Sequence, residues 1–170
     1  VWAEPSAEHA SRLIEGLIRA ARDEVERTTS VAMIDQAWRL AIDDLPGSGI
    51  VPLRRGPLRQ VVSVTLYGSE GEATLLDPAA HEVDTLSTPA RLRFATRPER
   101  LRCMNGIEID FTAGYGEAGT DVPDLLKRAI LMLVAHWFEF RASYGAAGQP
   151  VSMPDGYMRL LAGFIPRRLA

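Results

Sequence analysis

Between Met33 and Ala113 the chain repeatedly starts and stops extended segments, with no helical period between them. The runs "AWRLAID", "GIVPL", "LRQVVSVTLYG", "HEVDTL", "ARLRFAT" and "GIEIDFTAG" are rich in β-branched and apolar residues. Turn residues separate them: Pro46-Gly47, Gly56-Pro57, Gly68, Gly71, Asp77-Pro78, Pro89 and Asn105-Gly106. Strands that follow strands without intervening helices predict antiparallel pairing and argue against a doubly wound parallel sheet.

Helical patterns flank this region. From residue 6 to 28, Leu13, Ile14, Leu17, Ile18, Ala21 and Val25 recur on one helix face. Charged residues take the other face, and Ser6 is placed to cap the start. A second helix is expected over 122–144, with Asp121 able to cap it and Pro123 suited to its first turn. Leu125, Leu126, Ala129, Ile130, Leu133, Val134, Trp137 and Phe138 make a broad stripe that Leu131, Met132 and Phe140 widen almost to the full circumference. A helix of that kind lies in a core or against a partner.

The expected class is α+β: two main helices forming a helical core, an antiparallel β-meander inserted over 33–113, and an extended C-terminal arm. The core domain is expected over 1–144. Residues 145–170 read as a Gly/Pro-rich linker and the arm. Tyr157, Met158, Leu161, Phe164 and Ile165 are many large apolar groups for a chain end and must bury in their own core or in a neighbour.

The chain has 170 residues, a 46% hydrophobic and 24% charged composition and a formal net charge of -3. This suits one globular domain with a real core and argues against a protein devoted to wrapping nucleic acid. No apolar run reaches the roughly 20 residues of a membrane span, and no signal peptide is evident. The chain opens on Val1, so it is expected to begin inside its gene product. Cys103 is the only cysteine, which excludes an intrachain disulfide.

The one motif with cofactor spacing is G-x-G-x-x-G at Gly114, Gly116 and Gly119. Phosphate binding needs a helix opening inside the motif and a parallel strand after that helix. Here Thr120, Asp121, Val122 and Pro123 separate the last glycine from the helix, and a linker follows it. The context favours a turn, with a small dinucleotide-binding enzyme as the alternative. His9, His81 and His136 have no partner at metal spacing, Glu108 and Asp110 share one solvated strand face, and no nucleophile elbow is present. No catalytic residue, cofactor or metal site is assigned. Arg54, Arg55 and Arg59, with Arg97 and Arg100 among a second group, are candidate contacts to a partner or to nucleic-acid backbone, and a DNA-binding module is the other alternative.

In order, "LIEGLIRAARDEVERTT", "QAWRLAIDDLP", "LRRGPLRQVVSVTLY" and "IEIDFTAGYGEAGTDVPDLLKRAILMLVAHWFEFR" resemble the head–tail connector (adaptor) family of tailed phages. That family also occurs in prophages and gene transfer agents. Its most specific piece here combines Phe111, Gly114, Tyr115 and Gly116 with Pro123, His136 and Trp137. The family's usual segment before the first helix does not match at the start. The resemblance implies a non-enzymatic virion neck component assembled in the bacterial cytoplasm. Such proteins form a ring, typically dodecameric, under the portal protein, extend the channel for packaged double-stranded DNA and dock the next neck or stopper protein. It further implies a portal-binding arm, carried here by Tyr157, Met158, Leu161, Phe164, Ile165, Arg167 and Arg168.

Overall fold

The computed structural model describes residues 7–139 and 153–166. The chain divides into two compact units, residues 1–29 with 122–170, and residues 30–121.

The first unit is helical. Helix α1 (Ala7–Thr29) follows from the apolar stripe read in the sequence: Ala21 and Val25 are fully buried. Its polar side carries i,i+3 and i,i+4 pairs, Glu8–Arg12 at 2.6 Å and Glu24–Arg27 at 2.7 Å. It stops where Thr29 turns its hydroxyl back to the Val25 carbonyl at 2.7 Å and Ser30 takes a left-handed conformation, φ 59°. Helix α2 (Asp124–Glu139) buries Leu126, Ala129 and Leu133 and packs on α1. Ser6 and residues 140–152, which include the last turns expected of this helix, lie outside the described residues. Asp121 does not cap α2. It ends a short 3-10 turn, Gly119–Asp121, and its carboxylate accepts from the Ala118 amide at 3.1 Å.

A third, short helix α3 (Tyr157–Leu161) packs on α2. Over these residues the expected extended arm is instead folded back. The reason lies in α2, whose apolar circumference needs cover on more than the side facing α1.

The second unit is all β. Strands β1 (Gln36–Ile42), β7 (Ile107–Ala113), β3 (Leu58–Tyr67) and β4 (Ala73–Leu75) form a four-stranded antiparallel sheet in the order β1-β7-β3-β4. Strands β2 (Ile50–Leu53), β6 (Ala90–Phe94) and β5 (His81–Asp84) form a three-stranded antiparallel sheet in the order β2-β6-β5. The antiparallel character expected from the sequence is present, but the order is not consecutive, because β7 inserts between β1 and β3. Alternation explains its place: Ile107, Ile109, Phe111 and Ala113 are all buried, and Glu108, Asp110 and Thr112 point the other way. The inner faces of the two sheets make one core, with Val51, Leu53, Leu92 and Phe94 from the smaller and Val64, Ile107, Ile109 and Phe111 from the larger.

Candidate functional site

The glycine segment that spells a dinucleotide motif is a packed corner of the β unit. Gly114 donates to the Pro57 carbonyl at 2.9 Å, Tyr115 to Met33 at 3.3 Å, and the Gly116 carbonyl accepts from the Asp35 amide at 2.8 Å. A Cβ on Gly114 would lie 2.5 Å from the backbone of Ile34 and Asp35, and one on Gly116 would run into the Asp121 carboxylate. Gly119, by contrast, has open space around it. Phosphate loops need unsatisfied amides and a positive field. Here the amides of Gly114, Tyr115 and Ala118 already donate within the protein, and the carboxylates of Asp35 and Asp121 stand against the glycines. Asp35 in turn sits 3.5 Å from Arg59. Tyr115 is half-buried, and burial pushes its hydroxyl pKa up. Phe111, Gly114, Tyr115 and Gly116 therefore shape this corner, while Pro123, His136 and Trp137 belong to the helical unit.

The outer face of the larger sheet carries the carboxylates that sequence places on one strand face. Arg39 on β1 bonds both oxygens of Asp110 on β7, at 2.7 and 2.8 Å, and lies 3.6 Å from Glu108. Ser63 donates to Asp110 at 3.4 Å, Tyr67 donates to Glu108 at 2.9 Å, and Arg102 stacks 3.9 Å over the Tyr67 ring. The Arg39 hydrogen bonds hold Asp110 below the usual carboxylate range, and the bond to Glu108 raises the Tyr67 hydroxyl. The two carboxylates share a face as expected, but they are bound in a network with side chains only 18% and 31% exposed. Carboxylates fixed in this way by Arg39, Ser63 and Tyr67 suit a rigid surface.

The five candidate arginines separate by their partners. Arg97 bonds Asp44 at 2.6 Å and the Leu45 carbonyl at 2.7 Å, so it clips one loop to another. Arg55 lies 4.5 Å over the Trp38 ring. Arg59 is held near Asp35. Arg54 and Arg100 are exposed and make no ion pair among the described residues, which leaves these two guanidinium groups available to a partner.

The C-terminal candidates also separate. Tyr157 and Leu161 are 1% and 0% exposed and close their own helical unit, so they are not available to a partner in this state. Burial raises the Tyr157 hydroxyl pKa. Met158 is 53% exposed, and Phe164 and Ile165 are half-buried. Arg167, Arg168 and the side chain of His9 lie outside the described residues. The same unit exposes Ile14 and Ile18 on α1 and Leu125 and Leu131 on α2. Sequence periodicity puts Ile14 and Ile18 in the core stripe and gives no sign that they remain accessible.

Among the described residues no cluster of three or more His, Cys, Asp or Glu could hold a metal ion, and no helix is long and apolar enough to cross a membrane. The chain matches no protein-family model, and no curated protein matches it by sequence. Solved structures do match. A chain in the neck of an empty gene transfer agent particle, computed with C6 symmetry, is 28% identical with a TM-score of 0.78, covering 100% of this chain and 84% of that one. A chain in the virion of a native gene transfer agent particle is 27% identical, TM-score 0.78, with the same coverage. A third, in the neck of a native particle computed with C12 symmetry, is 27% identical, TM-score 0.76, covering 98% and 90%. The class that fold and sequence together resemble is the head–tail connector of phage-like particles, and the resemblance drawn from the residues is borne out. Within that class, the structures it follows are gene transfer agent necks.

Proposed function

We propose that this chain is a structural neck protein that forms a ring between the portal and the tail of a phage-like particle and extends the DNA channel. The observation that carries this reading is likeness along the whole chain, 100% covered at a TM-score of 0.78, to a chain of a gene transfer agent neck. Both symmetries of the similar necks, C6 and C12, are cyclic and suit a closed ring. The protein acts by shape and contact and uses no cofactor. Its partners are further copies of itself, the portal protein, the stopper protein on the tail side and, transiently, double-stranded DNA, with assembly in the bacterial cytoplasm.

In this reading the C-terminal segment reaches the portal. Met158, with the accessible parts of Phe164 and Ile165 and with Arg167 and Arg168 beyond, supplies the contact, and Tyr157 and Leu161 anchor the segment to its own subunit. Arg54 and Arg100 are the candidates for the channel wall or a neighbouring neck protein. The test is electron microscopy of the purified protein mixed with the portal protein of the same particle. Rings stacked on portals are expected, and portals that stay bare at saturating protein would sink the proposal. Met158→Asp should weaken that attachment without unfolding the subunit, because the side chain is more than half exposed.

A further inference from the structure

The β unit has four strand edges, and they are unequally protected. An unpaired edge invites another strand, and proteins guard such edges with prolines, charges or very short strands. In the smaller sheet β2 carries Pro52 at its centre, which cannot donate to a further strand. The other edge, β5, has three titratable residues among its four, His81, Glu82 and Asp84. In the larger sheet the edges are β1 and β4. Strand β1 has seven residues, no proline and unbroken register with β7 from Gln36 to Ile42. Its one charge, Arg39, is drawn onto Asp110 of the strand beside it, so it does not guard the free side. Its inward row, Trp38, Leu40 and Ile42, stays partly exposed. Strand β4 is short, uncharged and exposed throughout: Ala73, Thr74 and Leu75.

The two edges without a proline or a charge turned to the free side are thus opposite margins of one sheet, and we infer that they pair between copies, the three-residue β4 of one subunit adding to β1 of the next. Three observations converge on a second copy as the occupant. With four strands all antiparallel to their neighbours, β4 of one copy and β1 of another meet antiparallel, so the alternation continues across the junction. The cross-strand row Ala41, Glu108, Thr65, Leu75 ends on small and apolar side chains at both margins, with no like charges to oppose. A head-to-tail contact of two different edges generates a ring, as in the cyclic necks whose chains this one resembles. At ~4.8 Å per strand, twelve four-stranded sheets would make a belt roughly 230 Å around, wide enough to enclose a central channel.

This inference rests on the proposed ring, and the experiment separates the two. In a Cys103→Ser background, Leu75→Cys is combined with either Ala37→Cys or Ala41→Cys, all exposed positions on the outer face. The proteins are oxidised alone and with portal added, with circular dichroism to confirm the fold and electron microscopy to score rings. The expected result is a ladder of disulfide-linked oligomers with a paired variant and none with Leu75→Cys alone. Rings with no cross-link from either pair would overturn the strand pairing and leave the neck reading standing. Dimers captured by Ala41→Cys alone would mean that β1 pairs with itself, which also overturns it. Folded protein with neither rings nor cross-links would refute the pairing and the ring together.

Discussion

Arg39 and Asp110 lie directly opposite each other on β1 and β7 and are joined by two parallel hydrogen bonds, 2.7 and 2.8 Å long. The pair spans 71 residues of sequence, so it ties the first strand of the β unit to the last. Folding depresses the Asp110 pKa through this contact, and it depresses Asp84 through Ser87 and then Arg91. A carboxylate with a lowered folded pKa contributes stability that is complete above its unfolded value, about 4, and is lost as pH falls through the folded value. Thermal unfolding between neutral pH and pH 2 should therefore show the wild type losing Tm below about pH 4. The Asp84→Asn, Asp110→Asn double variant should lose less over the same range. Equal acid sensitivity would mean that these contacts do not form in solution.

The glycine corner yields a graded steric prediction. Gly114→Ala would push a methyl into the Ile34–Asp35 backbone and should cost about 1–3 kcal/mol in urea unfolding. Gly119→Ala meets nothing and should change stability little. A dinucleotide loop would make all three glycines matter for ligand binding, so calorimetric titration with common dinucleotides accompanies the test. Saturable heat abolished by Gly116→Val would revive the enzyme reading.

In the helical unit, Leu161→Ala removes a fully buried side chain and should cost about 2–5 kcal/mol. Tyr157→Phe removes a buried hydroxyl whose one neighbouring hydroxyl, on Thr28, makes at most a weak bond to it, so it should stay within about 1 kcal/mol of wild type. Denaturant unfolding measures both. If Leu161→Ala is neutral, α3 does not close this unit in solution. Deleting 157–170 would strip cover from α2, so attachment to the portal is better probed by Met158→Asp than by truncation.

Much of the architecture was legible because burial leaves a period. The six extended runs match β1, β2, β3, β5, β6 and β7, and both main helices follow their apolar stripes. Strand β4 escaped because three residues are too few to show alternation. Sheet order escaped because the alternation of β7 says which face is buried but not which strands lie beside it. Tyr157 and Leu161 were visibly in need of burial, yet composition cannot tell a subunit's own α2 from a neighbour. Among the arginines, sequence shows charge but not partners: Arg97 and Arg54 look alike until Asp44 and the Leu45 carbonyl are seen around one of them.

That difference makes the last prediction. Arg97→Ala removes bonds to Asp44 and to the Leu45 carbonyl, the latter in a partly buried position, and should lower Tm. Arg54→Ala and Arg100→Ala break no ion pair among the described residues and should leave Tm unchanged. In assembled particles the order should reverse. Charge reversal at Arg54 and Arg100 should reduce the yield of DNA-filled particles, since an exposed guanidinium facing phosphate or an acidic neighbour acts through long-range attraction. Raising salt should narrow the gap between wild type and the reversed variant, because exposed charges are screened beyond ~10 Å at 0.1 M. A double reversal that assembles and fills normally would remove both residues from the channel and from any acidic interface, leaving them as solvated surface.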